Sequence, residues 1–425
     1  MNQILIPKMK KITFLFVLFL IVFSCGSDDD DTIDACVEVT NVQVNNITTS
    51  SATVSWADTN EESTYVLEYG ISGFVLGSGT TVTETTTSTN LSNLEPSTTY
   101  DVYVQAVCST NNTSLFTDVY SFTTETLPIV PEFRPILSQL NLYTGDLSDL
   151  NISSRALKYD LNNELFTDYA HKQRLIALPE NTTMQYNGDG LPIFPDNTVI
   201  AKTFYYNINE QDLSLGKIII ETRVLIKING EWETGDYKWN AEQTEAVLDL
   251  GGSIVPVTWT DAEGVTNTID YQIPSNMDCF TCHNTDNIAT PIGPKLRNMN
   301  FIVDGINQID DFINTQNLSG VSSSSEISTM VNWEDTTQSL ESRTRSYFDI
   351  NCAHCHIEGG DCDDASTLRL AYETSLEDSQ IIERKLSIRL RVSEYNEGFS
   401  MPFIGTTMLH DEGVALIRDY LDTLE

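Results

Sequence analysis

The chain has 425 residues, enough for roughly two to four domains. It carries 61 acidic and 23 basic side chains, which gives a formal net charge of −38 at pH 7. Because nucleic acid phosphates would repel such a chain, this charge excludes nucleic acid as a partner.

The first residues carry an export signal. Lys8, Lys10 and Lys11 form a positive region ahead of an apolar run over 12–23, which is too short to span a bilayer and is typical of a signal-peptide core. The run ends at Cys25 in a sequence (VFSC) that resembles a lipobox. We therefore predict a lipoprotein signal peptide over 1–24 and lipid attachment at Cys25. The alternative is an ordinary secretory signal with an incidental cysteine.

An acidic tether is predicted over 25–35, where aspartates occupy positions 28 to 31. The segment resembles the export tag of Bacteroidetes surface lipoproteins, a serine and acidic cluster behind the lipidated cysteine. The resemblance implies an exported protein at the outer membrane or cell surface. Acyl chains would anchor it to the membrane without a transmembrane helix.

The sequence pattern over residues 36–125 predicts an all-β sandwich. Apolar residues alternate through Trp56 and again after Tyr100, and a Leu94-Glu-Pro96 turn precedes Tyr100. The stretch resembles a fibronectin type III domain, in which the early tryptophan packs the sandwich and the tyrosine forms a corner. Cys108 shares the inward parity of Tyr100, so it could reach Cys36 on the first strand. This pair is a candidate disulfide in an oxidising compartment.

A proline-rich linker is predicted over 126–135, followed by a mainly-β domain over 136–273. Residues 217–227 are a strand, Asn229-Gly230 is a hairpin turn and 231–239 is the returning strand. Residues 240–248 are expected to form a short helix. No nucleophile elbow, phosphate loop or paired-carboxylate site is readable here, and the polar segment 159–174 is interpreted as packing.

The remaining chain is predicted to be mainly helical and carries two Cys-x-x-Cys-His pentapeptides, at 279–283 and 352–356. This pattern is the attachment site of c-type haem: two thiols add across the vinyl groups, and the adjacent histidine becomes an iron ligand. We predict two covalently bound haems. The first haem-binding segment covers 274–334, and a cytochrome c-like second haem domain covers 335–425. The four thiols are Cys279, Cys282, Cys352 and Cys355.

Zinc is the first alternative for these cysteines, but the sequence distance between the two pairs is far beyond that of a ribbon or finger. A thioredoxin-like pair would follow a strand in a βαβ unit, and no such pattern is readable. Disulfides within four-residue loops would be strained and would leave the histidines unexplained. Cys362 is left over and is interpreted as an unpaired loop residue.

The second haem has the better-defined ligands. A helix over 336–350 leads into the second pentapeptide, and an amphipathic helix over 411–424 closes the chain. His356 is the proximal ligand, and Met401, which precedes a proline, is the distal one. Methionine–histidine ligation raises the reduction potential. Met408 is the rival for the distal position, and core packing is the other role open to Met401.

The first haem has His283 as its proximal ligand. Met299 could fold over the ring as the distal ligand, and the alternatives are His171, Met184 and Met330. His354 is expected to be too constrained within the second motif, and His410 is expected at the surface. The choice matters because two strong ligands make an electron carrier, whereas an open position admits peroxide, oxygen or a small substrate.

Residues 157–425 resemble a family of exported bacterial dihaem cytochrome c-like proteins. The resemblance rests on both pentapeptides and on short segments shared along the region, namely LFTDYA from Leu165, AKTF from Ala201, ETR from Glu221, YKWN from Tyr237, IPS from Ile273, LESR from Leu340, Met401-Pro402 and GVAL from Gly413. It implies haem binding and electron transfer, with no established substrate. Relatives tend to carry leucine where Met299 stands.

The leading hypothesis is therefore a cell-envelope dihaem c-type cytochrome that exchanges electrons with redox partner proteins. One alternative is a dihaem peroxidase or a small-molecule or sugar oxidoreductase with an open haem site. The other is a surface lipoprotein that binds glycan or protein through its β modules. The fold expected in each case is multidomain: a sandwich, a mainly-β middle and a mainly-α end.

Overall fold

The computed structural model describes residues 35–60, 63–396 and 398–424. The predicted signal peptide, the lipid-bearing Cys25 and most of the acidic tether lie outside these residues. Among the described residues, no helix combines the length and the apolar character needed to cross a bilayer.

The N-terminal sandwich consists of two antiparallel sheets. One has the strand order β1-β2-β5, and the other the order β4-β3-β6-β7, with β8 also paired to β6. The strands are β1 Thr40–Asn45, β2 Ser51–Ala57, β3 Thr64–Ile71, β4 Thr80–Glu84, β5 Ser88–Ser92, β6 Thr99–Ser109, β7 Asn112–Thr113 and β8 Tyr120–Thr123.

The sandwich core follows from strand alternation. In β2 every second side chain is buried, ending at Trp56, whose ring meets Tyr65 edge-on at 5.1 Å. Tyr100 stacks on Phe122 at 5.8 Å. A disulfide joins Cys36 to Cys108, with a Cα–Cα distance of 5.8 Å, and so ties the segment before β1 to β6.

The middle of the chain is built on a six-stranded sheet with the order β15-β14-β13-β12-β10-β9. A separate hairpin, β16-β17, packs near it. The strands are β9 Leu157–Lys158, β10 His171–Ala177, β11 Met184–Gln185, β12 Val199–Asn207, β13 Lys217–Ile228, β14 Glu231–Trp239, β15 Ala246–Leu248, β16 Ser253–Thr260 and β17 Thr266–Ile273. Short 3-10 turns cover Leu137–Leu140, Leu147–Asp149 and Leu213–Leu215.

The predicted hairpin is present. Asn229 and Gly230 have φ values of 52° and 89°, which are the positive angles of a tight two-residue turn between β13 and β14. The predicted helix over 240–248 is wrong. Gln243 has a φ of 59°, which breaks a helix, and the segment instead turns and returns as β15 beside β14.

The two faces of the six-stranded sheet cover different cores. One face, including Leu175, Ala201 and Val224, packs on the turns at 137–150. The other face includes Ile176, Ile200 and Leu225. It packs on a cluster that draws in side chains from beyond the first pentapeptide, among them Leu296, Met299, Ile309, Phe312 and Leu318. The segment around the first pentapeptide therefore shares its hydrophobic core with the middle sheet.

Residues 274–334 contain only short elements. These are α1 Asn276–Cys282, β18 Asn284–Thr285, β19 Ile288–Ala289, α2 Leu296–Met299, β20 Ile302–Val303, β21 Ile306–Asn307, α3 Gln308–Asn314, β22 Leu318–Ser319 and a 3-10 turn at Ser324–Glu326. β22 pairs in parallel with β11, which adds a backbone link to the middle of the chain. The expectation that the whole stretch after 274 is helical holds only for its later part.

The C-terminal part contains the longer helices. They are α4 Leu340–Asn351, α5 Leu376–Ser379, α6 Ile381–Ser393 and α7 Asp411–Thr423. α4 begins later than predicted because the Ser339 side chain caps it at the backbone N–H of Ser342. The apolar faces of α4, α6 and α7 meet in one core that includes Phe348, Ile388 and Leu421. Contacts between α-carbons group 123–424 as one compact unit, apart from the bulk of the sandwich.

Candidate functional site

The first pentapeptide occupies the end of α1. Ser275 and Asp278 form a reciprocal capping box that fixes where this short helix begins. Cys279 and Cys282 are three residues apart on the helix and so face the same side. The backbone N–H of His283 donates to the Cys279 carbonyl at 2.8 Å, which ends the helix at the histidine.

His283 is held as a neutral, partly buried imidazole. Its Nδ1 lies 2.9 Å from the carbonyl oxygen of Thr290; since a carbonyl only accepts, Nδ1 carries the proton. Burial, and next the positive charge of Lys202, lower the pKa of His283 to about 3. The Nε2 lone pair is then available to a metal ion at neutral pH, and the Thr290 carbonyl fixes the tautomer that presents it.

The second pentapeptide follows α4 directly. The N–H of Cys352 donates to the Phe348 carbonyl at 2.9 Å, and the N–H of His356 donates to the Cys352 carbonyl at 3.0 Å, so the motif forms a tight turn at the helix end. The His356 Nδ1 is buried and has no hydrogen-bond partner among the described residues. Burial lowers the pKa of His356 to about 4, which keeps its ring neutral as well.

The fold brings the two pentapeptides together. The ligand atoms of Cys282, His354 and Cys355 all lie within 4.8 Å of one another. The Cys362 thiol is hydrogen-bonded to the Cys355 thiol, and this bond lowers the pKa of Cys362 to about 7. The hydrogen bond between the Cys282 and Cys355 thiols likewise lowers the pKa of Cys282, to about 5. Sequence spacing gave no sign of this cluster, in which His354 and Cys362 both take part.

The space between the motifs is small. A cavity of about 90 Å³ is lined by side chains from both segments, including Cys282, Thr290, Asn298, Asp349 and His354. Sites for drug-sized ligands measure about 300 to 1,000 Å³. The thiols of Cys282 and Cys355 and the ring of His354 can bind a metal ion. A porphyrin at either motif requires the side chains that line this cavity to move apart.

Met401 lies in the same hydrophobic cluster as Cys352, together with Tyr347 and Phe348. The structure thus places the predicted distal methionine and the second pentapeptide in one core. The loop after Met401 is fixed by Asp168, whose carboxylate accepts bonds from the Thr407 N–H at 2.9 Å and from the Met408 N–H at 3.3 Å.

Met299 occupies a different position. It is fully buried among Leu296, Ile309 and Phe312, and it is not among the residues that line the cavity, although its neighbour Asn298 is. Met184 lies in the same cluster. Neither Met299 nor His283 is among the side chains that line the cavity, and the structure leaves Met299 in this hydrophobic core.

The remaining histidines have defined places. His171 lies on β10, and its Nε2 is 2.6 Å from the Oε1 of Glu210. His410 is not the surface residue expected from the sequence. It stacks on Phe166 at 4.3 Å, its Nδ1 lies 2.9 Å from the Tyr347 hydroxyl, and its side chain is 14% exposed.

Four cationic side chains lie on one face of the middle sheet, two of them buried (Arg174 and Lys202) and two partly buried (Lys172 and Arg223). We call Lys172, Arg174, Lys202 and Arg223 the cation row. Lys172 and Arg174 lie on β10, Lys202 on β12 and Arg223 on β13, and cross-strand pairing sets Arg174 opposite Lys202 and Lys202 opposite Arg223. Burial, followed by the charge of Arg174, lowers the pKa of both Lys172 and Lys202 to about 7.

Comparison with known proteins identifies one domain. The sequence profile of the fibronectin type III domain matches residues 37–119. Three solved structures are similar to this chain, each over 21% of its length. One, titled as a myokine structure, is 27% identical, is covered over 99% of its length and has a TM-score of 0.20.

The second, the chicken CNTN1 FN1-FN3 domains, is 23% identical, is covered over 30% of its length and has a TM-score of 0.20. The third, a computer-redesigned β-sandwich protein, is 32% identical, is covered over 97% and has a TM-score of 0.19. No curated protein matches the chain. The chain thus contains a fibronectin type III domain, and the profile covers no residue after 119.

Proposed function

We propose that the chain is an exported, lipid-anchored dihaem c-type cytochrome of the cell envelope that passes electrons between redox partner proteins. The observation that carries the proposal is the meeting of the two pentapeptides: residues far apart in sequence bring the thiols of Cys282 and Cys355 together within one compact unit. A dihaem electron carrier needs two covalently held redox centres within one compact unit.

The donor atoms support this assignment. Cys279, Cys282, Cys352 and Cys355 are unpaired thiols, so all four are available for thioether formation. His283 has its Nδ1 proton committed to a carbonyl, which leaves Nε2 to ligate iron. Haem bound there would supply reversible one-electron chemistry, and the protein would set its potential through the axial ligands.

Each ligand has a proposed role. His283 and His356 hold the two irons from the proximal side. Met401 is the distal ligand of the second haem, since it shares a core with Cys352 and its loop is tied down by Asp168. Met299 is the distal ligand proposed for the first haem. If Met299 stays in its core, the first iron keeps an open position, and the alternative function as a peroxidase or oxidoreductase gains support.

A divalent metal site is the second candidate, favoured by the clustering of Cys282, His354 and Cys355 with Cys362 beside them. Three cysteines and one histidine form an ordinary structural zinc set. The sequence distance that argued against zinc does not hold in three dimensions, because the fold closes it. Zinc would use Cys362 and His354 as ligands, whereas haem attachment uses neither.

Because zinc and haem would use different residues, substitutions of these residues distinguish the two functions. The mature chain is produced in a host competent for cytochrome maturation, and its intact mass and reduced spectrum are recorded. Wild type should carry two haems, and the Cys279→Ala/Cys282→Ala and Cys352→Ala/Cys355→Ala variants one each. The matched control Cys362→Ala should keep both haems. Bound zinc that is lost in Cys362→Ala, with no haem absorbance, would establish the metal site instead.

The sandwich serves, in this proposal, as a spacer or binding module. Fibronectin type III domains act in that way, and the matched profile gives this domain to the chain. Binding of glycan or protein by this module is the remaining alternative function. Screening the mature protein on a glycan array tests it separately from haem content.

A further inference from the structure

Helix α6 carries apolar side chains on its outward face as well as on its inward one. The inward residues, Ile388 among them, pack in the core that α6 shares with α4 and α7. Ile382, Leu386 and Leu390 are spaced four residues apart and so lie along another side of the helix. Leu386 is 77% exposed and Leu390 63%. We call Ile382, Leu386 and Leu390 the α6 stripe.

The loop after α6 adds to this apolar surface. The Phe399 side chain is exposed, and its ring centre lies 4.7 Å from the guanidinium carbon of Arg391, in the last turn of the helix. The Arg391 side chain also donates to the Phe399 carbonyl at 2.9 Å, and the Met401 N–H donates to the Arg391 carbonyl at 2.9 Å. These bonds hold the loop, with its exposed ring, against the end of α6.

The same helix is basic, against the composition of the chain. Acidic side chains outnumber basic ones by 61 to 23 over the whole sequence. Within the thirteen residues of α6 there are four cations and one acid, Glu383, which gives the helix a net charge of +3. The four cations are Arg384, Lys385, Arg389 and Arg391.

Most of this positive charge is not neutralised. Arg384, Lys385 and Arg391 each donate to a neutral oxygen, one hydroxyl at 3.3 Å and two backbone carbonyls at 2.9 Å. Within the residues that the structure describes, Arg389 is the one cation of α6 that forms an ion pair, with Asp422 of α7. Three charges of the helix therefore remain available to an anionic surface.

Helix α7 shows that the core does not require such an outward face. It has the same length as α6, thirteen residues, and packs in the same core. Four of its side chains are acidic and one, Arg418, is basic. Among the described side chains of α7, no large apolar one is exposed. Packing alone therefore does not account for the outward face of α6.

An anionic lipid surface accounts for both features of α6. Helices that lie in the membrane interface insert leucine and phenylalanine and place lysine and arginine near the headgroups. Lys385 and Arg389 each precede a leucine of the stripe by one residue, so they lie along one of its edges. In protein–protein interfaces, by contrast, leucine is under-represented among the residues that contribute most. The negative charge on the rest of the chain would be repelled by such lipids, which restricts their approach to this face.

We propose that the outward face of α6, together with Phe399, is a docking surface for anionic phospholipid membranes. The α6 stripe enters the acyl boundary, and the cations of the helix lie at the headgroups. This surface goes beyond the proposed function, because neither haem nor the acyl chains predicted at Cys25 take part in it. An acidic partner protein and a second copy of this chain are the other occupants, and the experiment separates them.

The first measurement is co-sedimentation with phosphatidylcholine vesicles, with and without phosphatidylglycerol. The mature chain is exported behind an ordinary secretory signal, which leaves Cys25 without lipid. Wild type should bind the mixed vesicles, and added salt should weaken the binding. Leu386→Ser/Leu390→Ser should weaken it at least about tenfold, because the apolar area that enters the lipid is lost. The matched control Leu213→Ser/Leu215→Ser removes two other exposed leucines and should leave binding unchanged.

The second measurement tests the charges. Arg384→Gln/Lys385→Gln should weaken binding to the mixed vesicles by about fivefold for each charge removed, and should not weaken the residual binding to phosphatidylcholine alone. The matched control is Arg418→Gln, which removes an exposed arginine from α7 and should have no effect. Equal losses in the two variants would overturn the assignment of the cations to this face.

Two results would overturn the proposal as a whole: no binding of wild type to the mixed vesicles, or undiminished binding by Leu386→Ser/Leu390→Ser. A dimer that dissociates in this variant, without vesicle binding, would assign the face to a second copy of the chain. Capture of an acidic envelope protein that depends on the stripe, again without vesicle binding, would assign it to a protein partner. Substitutions at exposed positions change stability little, so thermal unfolding should match wild type. A haem-free protein would end the electron-transfer proposal and leave this one intact.

Discussion

At the scale of single residues, the proposal assigns Met401 as the distal ligand of the second haem. We expect Met401→Ala to convert one haem to a high-spin form and to lower its reduction potential, because a thioether ligand stabilises ferrous iron. Spectroelectrochemistry of the reduced and oxidised protein measures both effects. Met408→Ala is the control, since its backbone N–H contacts Asp168 and its side chain is only the rival ligand. A normal spectrum in Met401→Ala together with a high-spin haem in Met408→Ala would reverse the assignment.

Asp101 in the sandwich gives a pH-dependent contribution to stability. Its carboxylate accepts bonds from the Ser121 hydroxyl at 2.6 Å, the Gly73 N–H at 2.8 Å and the Ser72 hydroxyl at 3.1 Å. These bonds, the one from Ser121 foremost, lower the pKa of Asp101 below its usual value. A lowered folded-state pKa adds stability that is present above the unfolded-state pKa, near 3.9, and that is lost as the pH falls through the folded-state value.

We therefore expect Asp101→Asn to lower the free energy of unfolding of the sandwich by about 1.5 to 3 kcal/mol at pH 7, the range for hydrogen bonds to a charged group. The difference from wild type should shrink below about pH 4. Thermal unfolding at several pH values tests this, with the exposed Asp118→Asn as control. A difference that grows on acidification would contradict the sign.

At the scale of elements, Asp349 ties α4 to the segment after the first pentapeptide. Its carboxylate lies 2.8 Å from the Lys295 Nζ and 3.7 Å from Arg297, and it accepts the Tyr372 N–H at 3.0 Å. The Asp349 side chain is 2% exposed, so removing its charge takes a partner from the partly buried Lys295, whereas Arg297 keeps its ion pair with Glu373.

Asp349→Asn is expected to lower the free energy of unfolding by about 1 to 3 kcal/mol, which is the usual cost of leaving a buried polar group without its partner. Urea unfolding of the full chain measures it. The matched control is Asp419→Asn on α7, an exposed carboxylate that should change the free energy by less than about 0.5 kcal/mol. Equal effects at the two sites would show that the buried pair does not connect these elements.

The disulfide between Cys36 and Cys108 closes a loop of 72 residues. Loop-closure entropy gives such a bridge about 4 kcal/mol of stabilisation. We expect Cys36→Ala/Cys108→Ala to lower the melting temperature of the sandwich and to leave haem absorbance unchanged, because the haem motifs lie in the other compact unit. Calorimetry together with the visible spectrum checks both halves of this prediction.

Two segments of the middle sheet show how far single elements could be predicted from the sequence. Local signals were sufficient for the hairpin at Asn229-Gly230, where the turn residues alone select positive φ. They failed over 240–248, where helix-compatible residues follow a strand whose pairing continues into β15. Local propensity is overridden there by the ladder of a neighbouring strand.

The arrangement of the site could be predicted only in part. The pentapeptides are recognised by the short spacing of their residues, so their cysteines and histidines can be found from the sequence alone. The approach of Cys282 to Cys355, and the pairing of Lys202 opposite Arg223, depend on strand register and helix packing between distant segments. No pattern within a single window carries that information.

At the scale of the whole molecule, charge and architecture serve the proposed role together. The net charge of −38 favours cationic partners and repels acidic ones. Against this background, four positive side chains lie together on one face of the middle sheet.

The most direct test of the account is the metal content of the mature protein, purified from a host competent for cytochrome maturation, measured with its pyridine haemochrome spectrum. The account predicts two irons per chain, both in thioether-linked haem, and no stoichiometric zinc. A colourless protein, or one that holds zinc in place of iron, would contradict it.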